Sequence, residues 1–347
     1  MKMDRSISRL RGDRVTLAHG GGGRAMRDLI EEIFTGVFQP PGNEDQARLT
    51  SAALQEPGAQ LAFTTDGYVV TPVEFPGGDI GKIAVCGTVN DLAVGGARPL
   101  WLSASFIIEE GCEFDLLRRI VASMAREAEA AGVAIVTGDT KVVEKGSCDT
   151  VFVTTSGVGV IPPGRDIGAA KIRPGDVAIV NGVLGDHGAA ILAARGDLAL
   201  STPVQSDCAA LGHLMEAVLE AAPDVRAARD ATRGGIASAL NEMAAEAGVT
   251  VELRDEDVPV RAEVRGMCEI LGLDPLYLAN EGRLVLFVPE AQAEAALAVM
   301  RRLPEGEGST VIGRAVEAGR IPVLTRTAFG GTRIVDMLVG EQLPRIC

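Results

Sequence analysis

Four aspartates in this sequence stand beside small residues where a strand or helix should end. They are Asp66 in Thr64-Thr65-Asp66-Gly67, Asp91 in Asn90-Asp91-Leu92, Asp139 in Thr137-Gly138-Asp139-Thr140, and Asp230 ahead of Ala231-Thr232-Arg233-Gly234-Gly235. Carboxylates on separate loops that converge suit Mg²⁺, which takes a few carboxylates together with phosphate oxygens and water. Glycine neighbours let the backbone approach a ligand closely. Each aspartate alone is more often a turn or cap residue; the four together leave the two readings even.

Three further residues could take part in bond making. Cys347 closes the sequence after Pro344-Arg345-Ile346. A thiol on an extended tail can swing between sites, its thiolate is the reactive form, and nearby Arg345 favours that form. Taken alone, a cysteine in that place is more often accidental. Glu281, in Asn280-Glu281-Gly282-Arg283, precedes a strand and could be a general base; an ordinary surface glutamate is the alternative. Lys141 could neutralise a developing oxyanion or a phosphate, or simply pair with a carboxylate. His19 and the glycines at 20–23 lead into an apolar-periodic helix carrying Met26, Ile30 and Ile33. That run is either an amide cradle for phosphate or a flexible linker.

The elements that must hold these residues follow from periodicity and punctuation. Strands are predicted over 61–65, 101–108, 133–137 and 149–160, with Asp66 and Asp139 just past the ends of two of them. Asp79 caps a helix running to about residue 94, where Gly95-Gly96 stops it. A long amphipathic helix over 114–131 carries Leu117, Ile120, Val121 and Met124 on one face and ends at Gly132. Pro162-Pro163-Gly164 breaks both element types and marks a boundary. Beyond it come strands over 176–181, 249–253, 283–288 and 310–316. Helices follow Asp186-His187-Gly188 and cover about 208–222, 233–247 and 291–302. This is a two-domain α/β (α+β) pattern, divided as 1–161, 162–328 and a tail over 329–347. Gly330-Gly331 loosens the tail as a hinge, a short strand follows near 333–337, and Pro344 keeps the end extended and mobile.

Composition narrows the partners. With 347 residues the chain can build two cores. A net charge of −14 repels nucleic-acid phosphates and anionic lipids. The charged residues 1–14 lack the apolar stretch of a secretory signal. No apolar run is long enough to span a bilayer. The six cysteines form no Cys-x-x-Cys pair and lie apart from the three histidines, which argues against zinc and for reduced thiols in a cytoplasm.

Taken in order, the aspartate motifs, Gly78-Asp79-Ile80-Gly81-Lys82, Gly87-Thr88-Val89-Asn90-Asp91-Leu92 and Thr137-Gly138-Asp139-Thr140-Lys141 resemble one ATP-binding superfamily. It contains aminoimidazole ribonucleotide synthetase, selenophosphate synthetase and thiamine-monophosphate kinase. The ending Pro344-Arg345-Ile346-Cys347 is similar to that of the carbamoyl dehydratase (HypE) family of hydrogenase maturation proteins, and the resemblance spans essentially the whole chain.

The resemblance implies a homodimer whose N-terminal sheets pair into a barrel-like core, with ATP near that interface. It implies a carbamoyl group placed on Cys347 by HypF, ATP-dependent dehydration to a thiocyanate, and transfer of cyanide to iron on a HypC–HypD complex for nickel–iron hydrogenase. It implies nucleotide contacts from Thr65, Asp66, Lys82, Asn90, Asp91, Asp139, Thr140 and Asp230. Of these, Asp66, Asp91, Asp139 and Asp230 would hold Mg²⁺. Glu281 would take protons from the amide nitrogen and Lys141 would stabilise charge on its oxygen. Two other readings stay open: a small-molecule kinase or synthetase that needs no terminal thiol, and a non-catalytic ATP-dependent carrier.

Overall fold

The computed structural model describes residues 10–41, 46–196, 202–338 and 346–347. Helix α1 (Arg24–Leu29) runs through a π-helical stretch into α2 (Gly36–Phe38). The first sheet follows, from β1 (Gln60–Tyr68), β4 (Arg98–Glu109), β5 (Ala134–Val143) and β6 (Val151–Ile161), in the order β1-β6-β4-β5. A two-stranded ribbon, β2 (Glu74–Phe75) and β3 (Gly78–Asp79), leads into α3 (Ile80–Val94), and α4 (Phe114–Ala131) lies between β4 and β5. Helices α3 and α4 cover one face of this sheet, where their apolar stripes meet Phe106, Ile108, Val151 and Val153.

The second sheet has seven strands. They are β7 (Val177–Val180), β8 (Ala227–Asp230), β9 (Thr250–Arg254), β10 (Leu284–Val288), β11 (Thr310–Val316), β12 (Val323–Arg326) and β13 (Thr332–Ile334), ordered β13-β12-β9-β11-β7-β10-β8. Helix α7 (Gly235–Ala247) packs on one face and α6 (Gly212–Ala221) and α9 (Glu290–Met300) on the other, while α5 (Asp186–Arg195) and α8 (Ala262–Leu271) share a cluster of their own. Strand β10 is buried along its whole length, as a strand covered on both faces must be. Among the described residues no helix is long and apolar enough to cross a membrane.

Several expectations need correction. Strands β1 and β5 do not stop before Asp66 and Asp139; both residues lie inside the ladders. In β1 and β5, pairing with β6 and β4 carries the strands through the glycines at 67 and 138. Helix α6 starts at Gly212 rather than near 208, because the Leu211 amide is held by the Asn90 side chain and the Ala209 amide by the Glu281 carbonyl. Strand β8 and helix α8 were not foreseen.

Gly330-Gly331 is no hinge. It is the turn of the β12–β13 hairpin, with Gly330 at φ +80° and Thr327 bonded to Gly331. Beyond it the Val335 amide pairs with Val323 and Asn241 holds the Val335 carbonyl. The chain is therefore anchored to residue 336, well past the expected start of the tail. Pro344 and Arg345 lie outside the described residues.

Candidate functional site

The site forms where the end of β1, helix α3, the end of β8 and the turn before β10 meet. Asp66 lies on the face of β1 that looks toward α3, with Thr64 and Tyr68, since strand side chains alternate faces. Thr64 Oγ1 donates to Asp91 Oδ2 at 2.7 Å, joining β1 to α3. Tyr68 donates to Asp66 Oδ2 at 3.2 Å. Asp230 ends β8, opposite Leu284. Its pKa is raised to about 7, first by burial and then by the charge of Asp91 and Asp66. Asp91 is raised by burial against its bond from Thr64.

Glu281 is only 2% exposed and its Oε1 has no hydrogen-bond partner. Burial, then Asp207, Asp230, Cys86 and Asp66, hold its pKa far above the carboxylate range. The turn carrying it is built for that placement. Its amide donates to Asp207 Oδ1 at 3.0 Å, and Asn280 spends its side chain on Gly185, Ala231 and Leu278. A Cβ on Gly282 would lie 2.0 Å from the Asp207 carbonyl oxygen, so only glycine lets the two backbones touch.

Ile346 and Cys347 enter this site. Ile346 is buried and bridges Val70 in antiparallel fashion. The Val69 amide donates to the Cys347 carbonyl at 3.0 Å. Burial raises the Cys347 thiol pKa; Glu281 raises it further, Arg233 opposes, and Asp66 adds to the rise. The thiol is thus neutral beside an acid that is also neutral. A thiol held in that form is a poor attacking nucleophile.

Of the residues singled out by sequence, the chain brings together Asp66, Asp91, Asp230, Glu281 and Cys347. The others stand elsewhere. Asp139 and Lys141 lie on β5, at the opposite edge of the sheet from β1. Three strand spacings separate Asp66 from that edge, about 14 Å. They also face the other way: Asp139 opposite Ser105 and Lys141 opposite Ile107 line the uncovered face. Lys141 Nζ bonds Asp139 Oδ2 at 2.5 Å, which lowers the Asp139 pKa.

Thr65 also points to that uncovered face, against Ser156 Oγ at 2.9 Å, whereas Thr140 is buried with its amide on Asp139 Oδ1. Asn90 braces the turn that carries Glu281. It is buried, gives its amide to the Ala209 and Glu281 carbonyls, and accepts from Leu211. Lys82 Nζ is engaged by the Gly77 carbonyl at 3.3 Å and by Glu127 at 3.9 Å.

Sequence reasoning passed over Tyr68, Asp207, Arg233 and His187. The first follows Asp66 by two residues on the same strand face, and Arg233 sits in the Asp230 motif, so both carried a signal. Asp207 and His187 carried none.

Two features bear on ligands. A cleft of about 800 Å³ runs between α1 and β5, lined by Gly22, Gly23, Met26, Phe34, Asp139 and Thr140. Gly20, ahead of it, packs so tightly on Val142 that a Cβ would lie 2.9 Å from that side chain, whereas Gly22 and Gly23 are exposed with open space around them. Among the described residues no three His, Cys, Asp or Glu side chains converge closely enough to enclose a metal. The mutual charge of Asp66, Asp91 and Asp230 still fits a hard cation, because Mg²⁺ takes one or two carboxylates and completes its shell with phosphate and water.

Comparison with known proteins follows the same lines. The N-terminal domain model of AIR synthase related proteins matches residues 44–161, and the C-terminal domain model matches 173–324. A carbamoyl dehydratase HypE from Rhodobacter capsulatus is 77% identical over 97% of this chain and 99% of its own. A crystal structure of hydrogenase maturation protein HypE in complex with ATP superposes with a TM-score of 0.90 at 46% identity, covering 96% of this chain and 99% of that one. A HypE–HypF complex gives 0.78 at 43% identity, covering 89% and 99%.

Proposed function

The chain belongs to the AIR synthase related family and to its carbamoyl dehydratases, and from that premise we propose that it dehydrates a carbamoyl group carried on its own Cys347. The observation that carries this reading is the seating of Cys347 beside buried Glu281 and the Asp66–Asp91–Asp230 group. A kinase of this fold has no use for a thiol there.

The reaction balances as follows. The amide oxygen of a Cys347 S-carbamoyl group attacks the γ-phosphorus of ATP and ADP leaves. The nitrogen then gives up its two protons while the C–O bond breaks, leaving a thiocyanate and inorganic phosphate. Activation is needed because an amide oxygen is a poor leaving group. Mg²⁺ held by Asp66, Asp91 and Asp230 would supply charge neutralisation for the phosphates. Glu281 is the group next to the sulfur that handles nitrogen protons. Its surroundings keep it protonated, so it accepts a proton only after releasing its own, and the neighbouring carboxylates set how readily it does so.

Asp139 and Lys141 enter through a second copy of the chain. They lie at one sheet edge and Asp66 at the other, so a second copy packed on the open face of the sheet, with β5 of one chain crossing toward β1 of the other, unites the set. The glycine-edged cleft beside Asp139 then receives part of the nucleotide, its amides facing phosphate. HypF is the proposed carbamoyl donor, in line with the complex formed by a relative. A HypC–HypD complex is the proposed cyanide acceptor, on the route to nickel–iron hydrogenase, and the reaction is placed in the cytoplasm.

The test is a mass measurement. Cys347 is carbamoylated, the protein is mixed with Mg-ATP, and the tail peptide is weighed. Loss of one water supports the reading; a loaded Cys347 that loses none overturns it.

A further inference from the structure

His187 is fully buried at the start of α5, and nothing in the dehydration chemistry calls for it. Its Nε2 lies 2.7 Å from the Ile346 carbonyl oxygen and its Nδ1 lies 2.8 Å from Ser206 Oγ. A carbonyl can only accept, so Nε2 carries the hydrogen. Nδ1 of the neutral ring must then accept, and the Ser206 hydroxyl donates to it.

Ser206 is itself fixed. Its amide donates to the Pro76 carbonyl at 2.8 Å, and its Oγ accepts from the Cys208 amide at 3.2 Å. The Phe75 ring meets the imidazole edge-on, with centroids 5.5 Å apart. The Ser206 and Phe75 contacts to the ring come from the body of the protein and not from the tail. Burial keeps the imidazole neutral, with a pKa lowered to about 4.

The two last residues are thus gripped from both sides. Val69 and Val70, continuing β1, supply one backbone bond and a bridge. His187, from the α5 side, donates a side-chain hydrogen bond to the Ile346 carbonyl. Ile346 is buried in the same apolar cluster as Val70, Phe75, Ile191, Cys208 and Ala279. A carbonyl bond one residue before Cys347 fixes the register of the tail, and register decides whether the sulfur reaches Glu281.

We propose that His187 is a positioning residue that latches the inserted tail through the Ile346 carbonyl, so that it favours dehydration at Cys347 and withholds the thiol from solvent. The inference rests on dehydration at Cys347, but one of its readouts does not.

In the full chain, His187→Leu keeps the buried shape and removes the donor, whereas His187→Gln keeps an N–H that can reach the same carbonyl. The first readout is the alkylation rate of Cys347 by iodoacetamide, followed on the tail peptide because the other five thiols are buried. It should rise about tenfold in His187→Leu, the scale of one hydrogen bond, and stay near wild type in His187→Gln. The second is single-turnover dehydration of protein carbamoylated at Cys347 with cyanate. It should slow about tenfold in His187→Leu with unchanged ATP dependence, and His187→Gln should restore it. Opposite movement of the two rates separates a latch from general damage. An unchanged alkylation rate in His187→Leu, or equal loss of dehydration in both variants, overturns the proposal. If His187→Leu does not fold, Ser206→Ala, which frees the imidazole, must show the same opposite movement for the latch to stand.

Discussion

A carboxylic acid enclosed by an apolar core and by Asp207, Asp230 and Asp66 keeps its proton, and that is the condition of Glu281. The side chain is therefore destabilising if ionised and nearly neutral if not. Glu281→Gln copies the protonated form in shape. It should melt at or above the wild-type temperature, bind ATP normally, and lower dehydration by about a hundred- to ten-thousand-fold, the range for loss of a general acid–base group. Calorimetry and single-turnover kinetics check the two halves separately; a variant that unfolds early would show Glu281 to be a structural anion instead. Burial of this kind could not be read from Asn280-Glu281-Gly282-Arg283, because a glutamate before a strand is usually at the surface. What made the residue legible was its place in a motif set, and its environment became visible only when Asp207, far from any motif, was seen to hold its amide.

Elements decide how accurately that carboxyl stands, and they differ in how far sequence shows them. Helices α3 and α4 were readable because their punctuation is local: Asp79 caps one and Gly132, at φ +71°, ends the other. Strand β8 was not, because its bounds come from pairing with β10, distant in sequence; helix α8 ends at Gly272 in the left-handed region, a local stop of the same kind that was passed over. The Gly282 turn belongs with β8. Gly282→Ala drives a methyl into the Asp207 backbone, so it should cost about 1–3 kcal/mol of stability and displace Glu281, which denaturant unfolding and kinetics would record together. A second element-level contact ties the two sheets. Glu216 on α6 receives Arg165 and Arg98, and Arg165 first, then Arg98, against burial, lowers its pKa from 4.5 to about 2. The folded value lies below the unfolded one, so the stabilisation is complete above pH 4.5 and is lost as pH falls toward 2. Glu216→Gln should lose about 1 kcal/mol at neutral pH, less than the shift implies because water screens so open a group. It should also flatten the acid limb of a melting-temperature profile between pH 4.5 and 2.

At the scale of the whole molecule the four-stranded sheet is unfinished. One face is covered by α3 and α4; the other exposes Leu61 at 62% and Phe63 at 68%, with Ile107 nearby. Large apolar side chains on an open sheet face mark an interface, and that face also carries Asp139 and Lys141, which have no business with Asp66 in their own chain. A second copy laid on it buries the apolar residues and sets Lys141 of one chain toward the Glu281 site of the other. Paired substitution Leu61→Lys with Phe63→Lys should therefore give a monomer by light scattering and abolish dehydration although Cys347, Glu281 and the three aspartates are untouched. Complementation is the sharper test. Glu281→Gln and Lys141→Ala are each expected to be inactive as homodimers. Mixed and reassembled, they form heterodimers with one site holding Glu281 from one chain and Lys141 from the other, so roughly a quarter of the wild-type activity should return under two-fold symmetry. If Lys141 served its own chain, both sites of that heterodimer would be broken and the mixture would stay inactive.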